Sequence, residues 1–165
     1  MEYLATELVE GKLWAGSRRA VENGQYFRGL LEKGVTNVVT ILPIGAPGAW
    51  PLETSFRFKP QSLRVLIMGD REEIPPQMID SAIGAIGSPV PTLIHCNVGQ
   101  NRSTAVAACW MLRHGHAAAE TVLDHVMGLR AVDIGALPRV SPEMRKNVEN
   151  YAEWLKEIEG LKADV

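Results

Sequence analysis

Nine residues, His95-Cys96-Asn97-Val98-Gly99-Gln100-Asn101-Arg102-Ser103, constrain this chain more than any other stretch. They lie between segments of opposite habit. Pro91-Thr92-Leu93-Ile94 is a short apolar run that reads as a buried strand. Thr104-Ala105-Val106-Ala107-Ala108-Cys109-Trp110-Met111-Leu112 is rich in helix formers. A loop that runs from a strand into a helix collects backbone N–H groups and the positive end of a helix dipole at one point, which suits an anion. The amides of Asn97 to Arg102 can wrap around such an anion, with Gly99 allowing a close approach that a Cβ would block. Arg102 adds a permanently charged, two-pronged clamp. The same positive field favours the thiolate of Cys96, which is a nucleophile.

His-Cys-x-x-Gly-x-x-Arg-Ser, after an apolar strand and before a helix, resembles the signature of the Cys-based protein tyrosine phosphatases, and the short chain is similar to their dual-specificity branch. A further likeness lies in Leu13 to Leu42: a strand ending in Trp14-Ala15-Gly16-Ser17, a helix, Gly34-Val35-Thr36, then a core strand. The resemblance runs from about Leu13 to Leu155. It implies Cys96 as nucleophile, Arg102 as phosphate clamp, Ser103 as a hydrogen-bond donor that helps the sulfur leave, and His95 as a group that orients the loop. It also implies an Asp on a loop upstream as general acid. Asp70 fits, because it follows Leu66-Ile67-Met68-Gly69 and lies 26 positions before Cys96, with Glu72 and Glu73 as fallbacks. The alternative for Asp70 is a turn residue. Asp80 falls on a helix and points away.

The rest of the chain supplies an α/β frame. Leu8 to Ser17 reads as a hairpin turning at Gly11, and Gly24 to Lys33 as a helix closed by Gly34. Val35 to Leu42 is a central strand and Leu63 to Met68 another, with Phe56 to Lys59 a candidate edge strand. Pro43 to Pro51 is a loop with Trp50 at its far end, read either as a wall beside the site or as a surface connection. Helices are expected over Pro76 to Ile86, Ala117 to Leu129, and Ser141 to about Ile158, where Ser141-Pro142-Glu143 is a strong start signal. Arg130 to Val140 reads as a loop. These elements predict a single α/β sandwich domain over residues 1–165: a mostly parallel sheet of four or five strands with helices on both faces.

Other function classes fare worse. A formal net charge of −2 gives no reason to expect nucleic acid or an anionic membrane as partner. The acidic start, Met1 to Glu7, lacks the apolar core of a secretory signal. Two cysteines make no disulfide framework, so a reducing, cytoplasmic setting is expected; separately, the chain is expected to be a monomer. Cys109, His114 and His116 match no structural zinc spacing, and neither metal nor cofactor is called for. Asn97, Val98, Gln100 and Asn101 include no Lys or Arg. That argues against lipid or polyphosphate substrates and for phosphotyrosine or phosphoserine/threonine in proteins, or a small phosphoester. Arg71, Arg130 and Arg139 are candidate rim cations, or solvated surface. A phosphate-binding module without turnover and a rhodanese- or arsenate-reductase-like enzyme remain as alternatives.

Overall fold

The computed structural model describes residues 4–43, 62–84 and 90–163. Within them, five strands form one sheet in the order β1-β2-β5-β3-β4. β1 (Ala5–Val9) and β2 (Leu13–Gly16) make the expected antiparallel hairpin, with Gly11 in the left-handed region at φ +68°. The other pairings are parallel: β2 with β5 (Thr92–His95), β5 with β3 (Asn37–Leu42), and β3 with β4 (Ser62–Ile67). All six residues of β3 are buried, as an uninterrupted β-branched run between two neighbours requires.

Register sets where the site can be. His95 pairs with Gly16 on one side and Thr40 on the other, so β2, β5 and β3 run out at the same edge. In an open α/β sheet the crevice beyond the carboxyl ends of the strands is where ligands bind.

The two-residue period of each strand divides its side chains between two cores. Trp14, Val38 and Leu93 pack with Ala20, Val21, Phe27 and Leu30 from α1 (Arg19–Glu22) and α2 (Gly24–Glu32). Leu13, Ala15, Val39, Ile41 and Ile94 face the other way, toward α3 (Pro76–Ile83), α4 (Arg102–Arg113), α5 (Val122–Ile134) and α6 (Pro142–Ala163). α2 starts where Asn23 accepts the Tyr26 N–H at 3.0 Å. It ends in a Schellman motif: Gly34 at φ +104° donates to Leu31, and Val35 donates to Leu30.

Three expected helices have different ends. α3 stops at Ile83 rather than Ile86, with Gly84 closing it on Asp80. α6 starts where Ser141 Oγ accepts the Met144 N–H at 3.2 Å, and continues past Ile158 to Ala163. The largest correction is α5, which spans Val122–Ile134 rather than Ala117 to Leu129. Its stop is Gly135, at φ +87°, whose N–H bonds Ala131 at 2.8 Å. Arg130 to Ile134, nearly half of the expected Arg130 to Val140 loop, are therefore helix. Trp50 with its loop and the candidate strand Phe56 to Lys59 lie outside the described residues.

Candidate active site

The loop after β5 is held from behind by the turn after β2. Cys96 donates its N–H to Gly16 at 3.3 Å, and Arg18 donates to Asn97 at 3.1 Å. Gly99 closes this contact. Its φ is +83°, and a Cβ there would lie 2.7 Å from the Ser17 nitrogen and 2.9 Å from the Gly16 carbonyl carbon. Both the angle and the space exclude other residues at this point of the loop.

Cys96 is 2 % exposed and sits at the floor of the loop. Gly99 N–H points at its Sγ at 3.2 Å, and Ser103 Oγ lies 3.4 Å away. In the thiol form the S–H donates to Ser103; in the thiolate form the Ser103 hydroxyl donates to sulfur, so two donors converge on a sulfur anion. His95 is fully buried under the same loop, with Nε2 3.0 Å from Thr40 Oγ1 and Nδ1 3.4 Å from the Cys96 carbonyl oxygen. Its ring therefore ties the end of β5 to β3, which is an orienting position.

Arg102 opens α4 and is 5 % exposed. One terminal N–H donates to the Met68 carbonyl at 3.2 Å, and Nε lies 2.9 Å from Asp70 Oδ1. The second contact is a charge pair whose N–H is not aimed along a hydrogen bond. The structure thus brings Asp70, the acid that the resemblance implies, to Arg102, with the Asp70 side chain 65 % exposed on the cleft side.

The Asp70 loop is fixed by groups that carry no recognisable motif. Asn101 Nδ2 donates to the Asp70 carbonyl at 2.9 Å, and Ser141 Oγ donates to the same oxygen at 2.8 Å. Asn101 Oδ1 in turn accepts the Ser141 N–H at 2.8 Å. Farther along, Asn147 on α6 accepts from the Ile74 N–H at 3.0 Å and donates to the Glu72 carbonyl at 2.9 Å. The loop residue Asn101 and the first turns of α6 hold the candidate acid by its backbone and leave its carboxylate exposed to the cleft.

Around these groups lies a cleft of about 770 Å³, lined by Asp70, Cys96, Arg102, Val98, Leu137 and Arg139 among others. Val98 and Leu137 are exposed, at 67 % and 65 %. Arg71 and Arg139 are exposed residues of the lining, and the Arg139 N–H bonds Gln100 Oε1 at 3.1 Å. Arg130 is not a rim cation. It is 0 % exposed, and its guanidinium donates to the carbonyls of Ala15 (2.5 Å) and Gly99 and to Thr6 Oγ1 (3.3 Å). Its spacing offers a signal after the fact: Arg130 follows Val122 and Val126 at four-residue intervals, on the buried stripe of α5.

The remaining candidates lie elsewhere. Asp80 accepts from the Tyr151 hydroxyl at 2.6 Å and pairs with Arg113 at 3.5 Å, so it joins α3, α4 and α6. Burial first, then that hydrogen bond, pushes the Tyr151 phenol up. Cys109 is buried in the core, which pushes its thiol up. His114 and His116 pack on Trp110, at ring distances of 4.5 and 5.5 Å.

No family model matches the chain. A phosphatidylglycerophosphate phosphatase, PTPMT2, from Arabidopsis thaliana is 33% identical over 63 residues, a match covering 37% of this chain and 25% of that protein. The chain thus spans about a quarter of that relative's length. Among solved structures, a point variant of human DUSP28 is similar, with a TM-score of 0.70 and 21% identity over 95% of this chain and 99% of the other. The core catalytic domain of the PP-IP phosphatase SIW14 from S. cerevisiae is similar with a TM-score of 0.64 and 19% identity, covering 96% of this chain and 92% of that domain.

Proposed function

We propose that this chain, whose fold is that of the Cys-based protein tyrosine phosphatases, is a phosphomonoester hydrolase that works through a cysteinyl phosphate. The observation that carries the reading is one cluster: a sulfur at the floor of an amide loop, with Arg102 and Asp70 in contact above it. Arg102 and the loop amides bind the phosphoryl oxygens and stabilise the charge that builds there. The Cys96 thiolate attacks phosphorus, the S–P bond forms and the bond to the ester oxygen breaks. Asp70 gives that oxygen its proton. Asp70, now a carboxylate, takes a proton from water as the water attacks phosphorus. The S–P bond breaks, orthophosphate leaves, and Ser103 donates to the departing sulfur.

For substrate, the reading is phosphotyrosine and/or phosphoserine/threonine in proteins. The loop itself supports it, since its exposed Asn97 and Val98 offer no cation for extra phosphates, and the cations of the cleft, Arg71 and Arg139, stand outside the loop. A second reading, a lipid phosphomonoester, is favoured by the exposed Val98 and Leu137 beside the cleft. The names of two similar proteins specify unlike substrates, a phosphatidylglycerophosphate and a PP-IP, so likeness of fold does not choose between them. The chemistry calls for no cofactor, and a free thiol at Cys96 fits a reducing, cytoplasmic setting.

A panel of phosphopeptides, phospholipids and aryl phosphates, with Cys96→Ser as control, tests the reading. Hydrolysis that needs Cys96 and is fastest on phosphopeptides is the expected result. Fastest turnover of a phospholipid selects the second reading. Phosphopeptide binding without turnover, or faster turnover of thiosulfate or arsenate, contradicts both.

A further inference from the structure

We infer that Arg130, which nothing in the sequence motif includes, is a positioning residue for the phosphate loop: it turns the Gly99–Gln100 peptide so that the Gln100 N–H faces the bound oxyanion. The inference rests on the proposed phosphate site and deepens it.

The geometry runs from the covalent bond upward. No peptide in the described residues is cis, so the carbonyl and N–H of the Gly99–Gln100 peptide point in opposite directions. Arg130 accounts for the carbonyl. From α5 its guanidinium reaches the Gly99 oxygen, and it also bonds the Ala15 oxygen of β2 and Thr6 of β1. The guanidinium is thus anchored to the hairpin on one side and to the loop on the other. It lies on the buried side of the loop, whereas Gln100, Cys96 and Arg102 line the cleft. With its carbonyl turned back to Arg130, this peptide turns its N–H forward to the cleft.

The preceding N–H, of Gly99, is committed to Cys96 Sγ at 3.2 Å. Gly99 is at φ +83°, so the chain reverses there, and successive amides are directed toward a common point. Glycine has little intrinsic preference among backbone angles, so a peptide that follows it is free to rotate unless something holds it. A planar, permanently charged fork suits that task, since it can grip two carbonyls at once and adds positive charge behind the anion site. A lysine ammonium would bring the charge without the fork.

Three proteins test this: wild type, R130M and R130K. The first measurement is orthophosphate affinity, by calorimetry. R130M is expected to bind on the order of 10–100-fold more weakly, the usual scale for removing a group that orients a ligand-binding one, with R130K between the two. A folded R130M that binds orthophosphate within about twofold of wild type overturns the inference. If R130M does not fold, R130K with a cooperative wild-type-like melt decides alone: weakened orthophosphate binding supports the inference and unchanged binding overturns it.

The second measurement separates positioning from general loosening. Cys96 is alkylated with iodoacetate, an anion drawn into the loop, and with neutral iodoacetamide. The iodoacetate-to-iodoacetamide rate ratio is expected to fall in R130M. Both rates changing in parallel, with the ratio unchanged, means that Arg130 only holds the fold together and overturns the inference. Neither measurement requires turnover. A wild type that hydrolyses nothing would count against the proposed enzyme, while a loss of orthophosphate binding on substitution would still stand for Arg130.

Discussion

Two buried arginines grip the candidate site from opposite sides. Arg102 is on the front: it opens α4, rests on the Met68 carbonyl and meets Asp70 across the cleft. Arg130 is behind: it comes from α5 and ends on the carbonyls of Ala15 and Gly99. The two have the same chemistry and nearly the same burial. The front arginine puts one donor on the Met68 carbonyl and pairs its charge with an exposed carboxylate, a partner that a phosphate can replace. The back arginine uses its donors on backbone oxygens and a hydroxyl that stay in place. A clamp for a ligand and a clamp for a loop are thus told apart by what the guanidinium touches.

This contrast ranks the effects of substitution. Arg102→Lys should be the more damaging of the arginine variants, lowering kcat on the order of 10²–10³-fold with the melting temperature little changed, because it removes a preformed donor at developing charge. A loss no larger than that of R130K would mean that front and back do not differ. Asp70→Asn comes next and depends on the substrate. Alkyl phosphates, whose leaving groups need the proton, should slow by about 10²-fold, and aryl phosphates with good leaving groups much less. Equal slowing of both removes Asp70 as the acid.

Ser141→Ala should cost less. It deletes the cap of α6, worth about 1 kcal/mol, and one of two side-chain bonds to the Asp70 carbonyl. A lower melting temperature with a several-fold fall in kcat on alkyl phosphates is expected, and a fall equal to that of Asp70→Asn would show that the loop has no other support.

The smallest effect lies away from both arginines. Burial holds the His114 imidazole below its ordinary value of 6.5. On unfolding it regains its ordinary basicity, so the unfolded chain binds more protons and stability falls as pH drops below 6.5. His114→Gln should flatten that decline in a melting-temperature series and leave the ratio of turnover between aryl and alkyl phosphates as it was.

The same contrast explains what was legible in the sequence. Cys96, Gly99, Arg102 and Ser103 share one short loop, so their spacing carries their geometry. The hairpin, β3 and the start of α6 were legible because Gly11, a β-branched run and Ser141-Pro142 act locally. Arg130 reads as surface because a buried arginine and a surface one look alike in a sequence, and because α5 runs to Ile134 rather than to Leu129. Only the four-residue interval from Val122 and Val126 points inward. Asn101 and Asn147 left no signal: their partners, Asp70, Ser141, Ile74 and Glu72, are brought to them by tertiary packing.

The nucleophile is the point on which the mechanism turns, and it can be seen directly. Mix the protein with an excess of an aryl phosphate, quench in acid within the first turnover, and map the phosphorylated peptide by mass spectrometry. Phosphate on the peptide carrying Cys96, absent in Cys96→Ser together with turnover, is the result predicted here. Turnover that survives in Cys96→Ser, or phosphate carried on another residue, would contradict it.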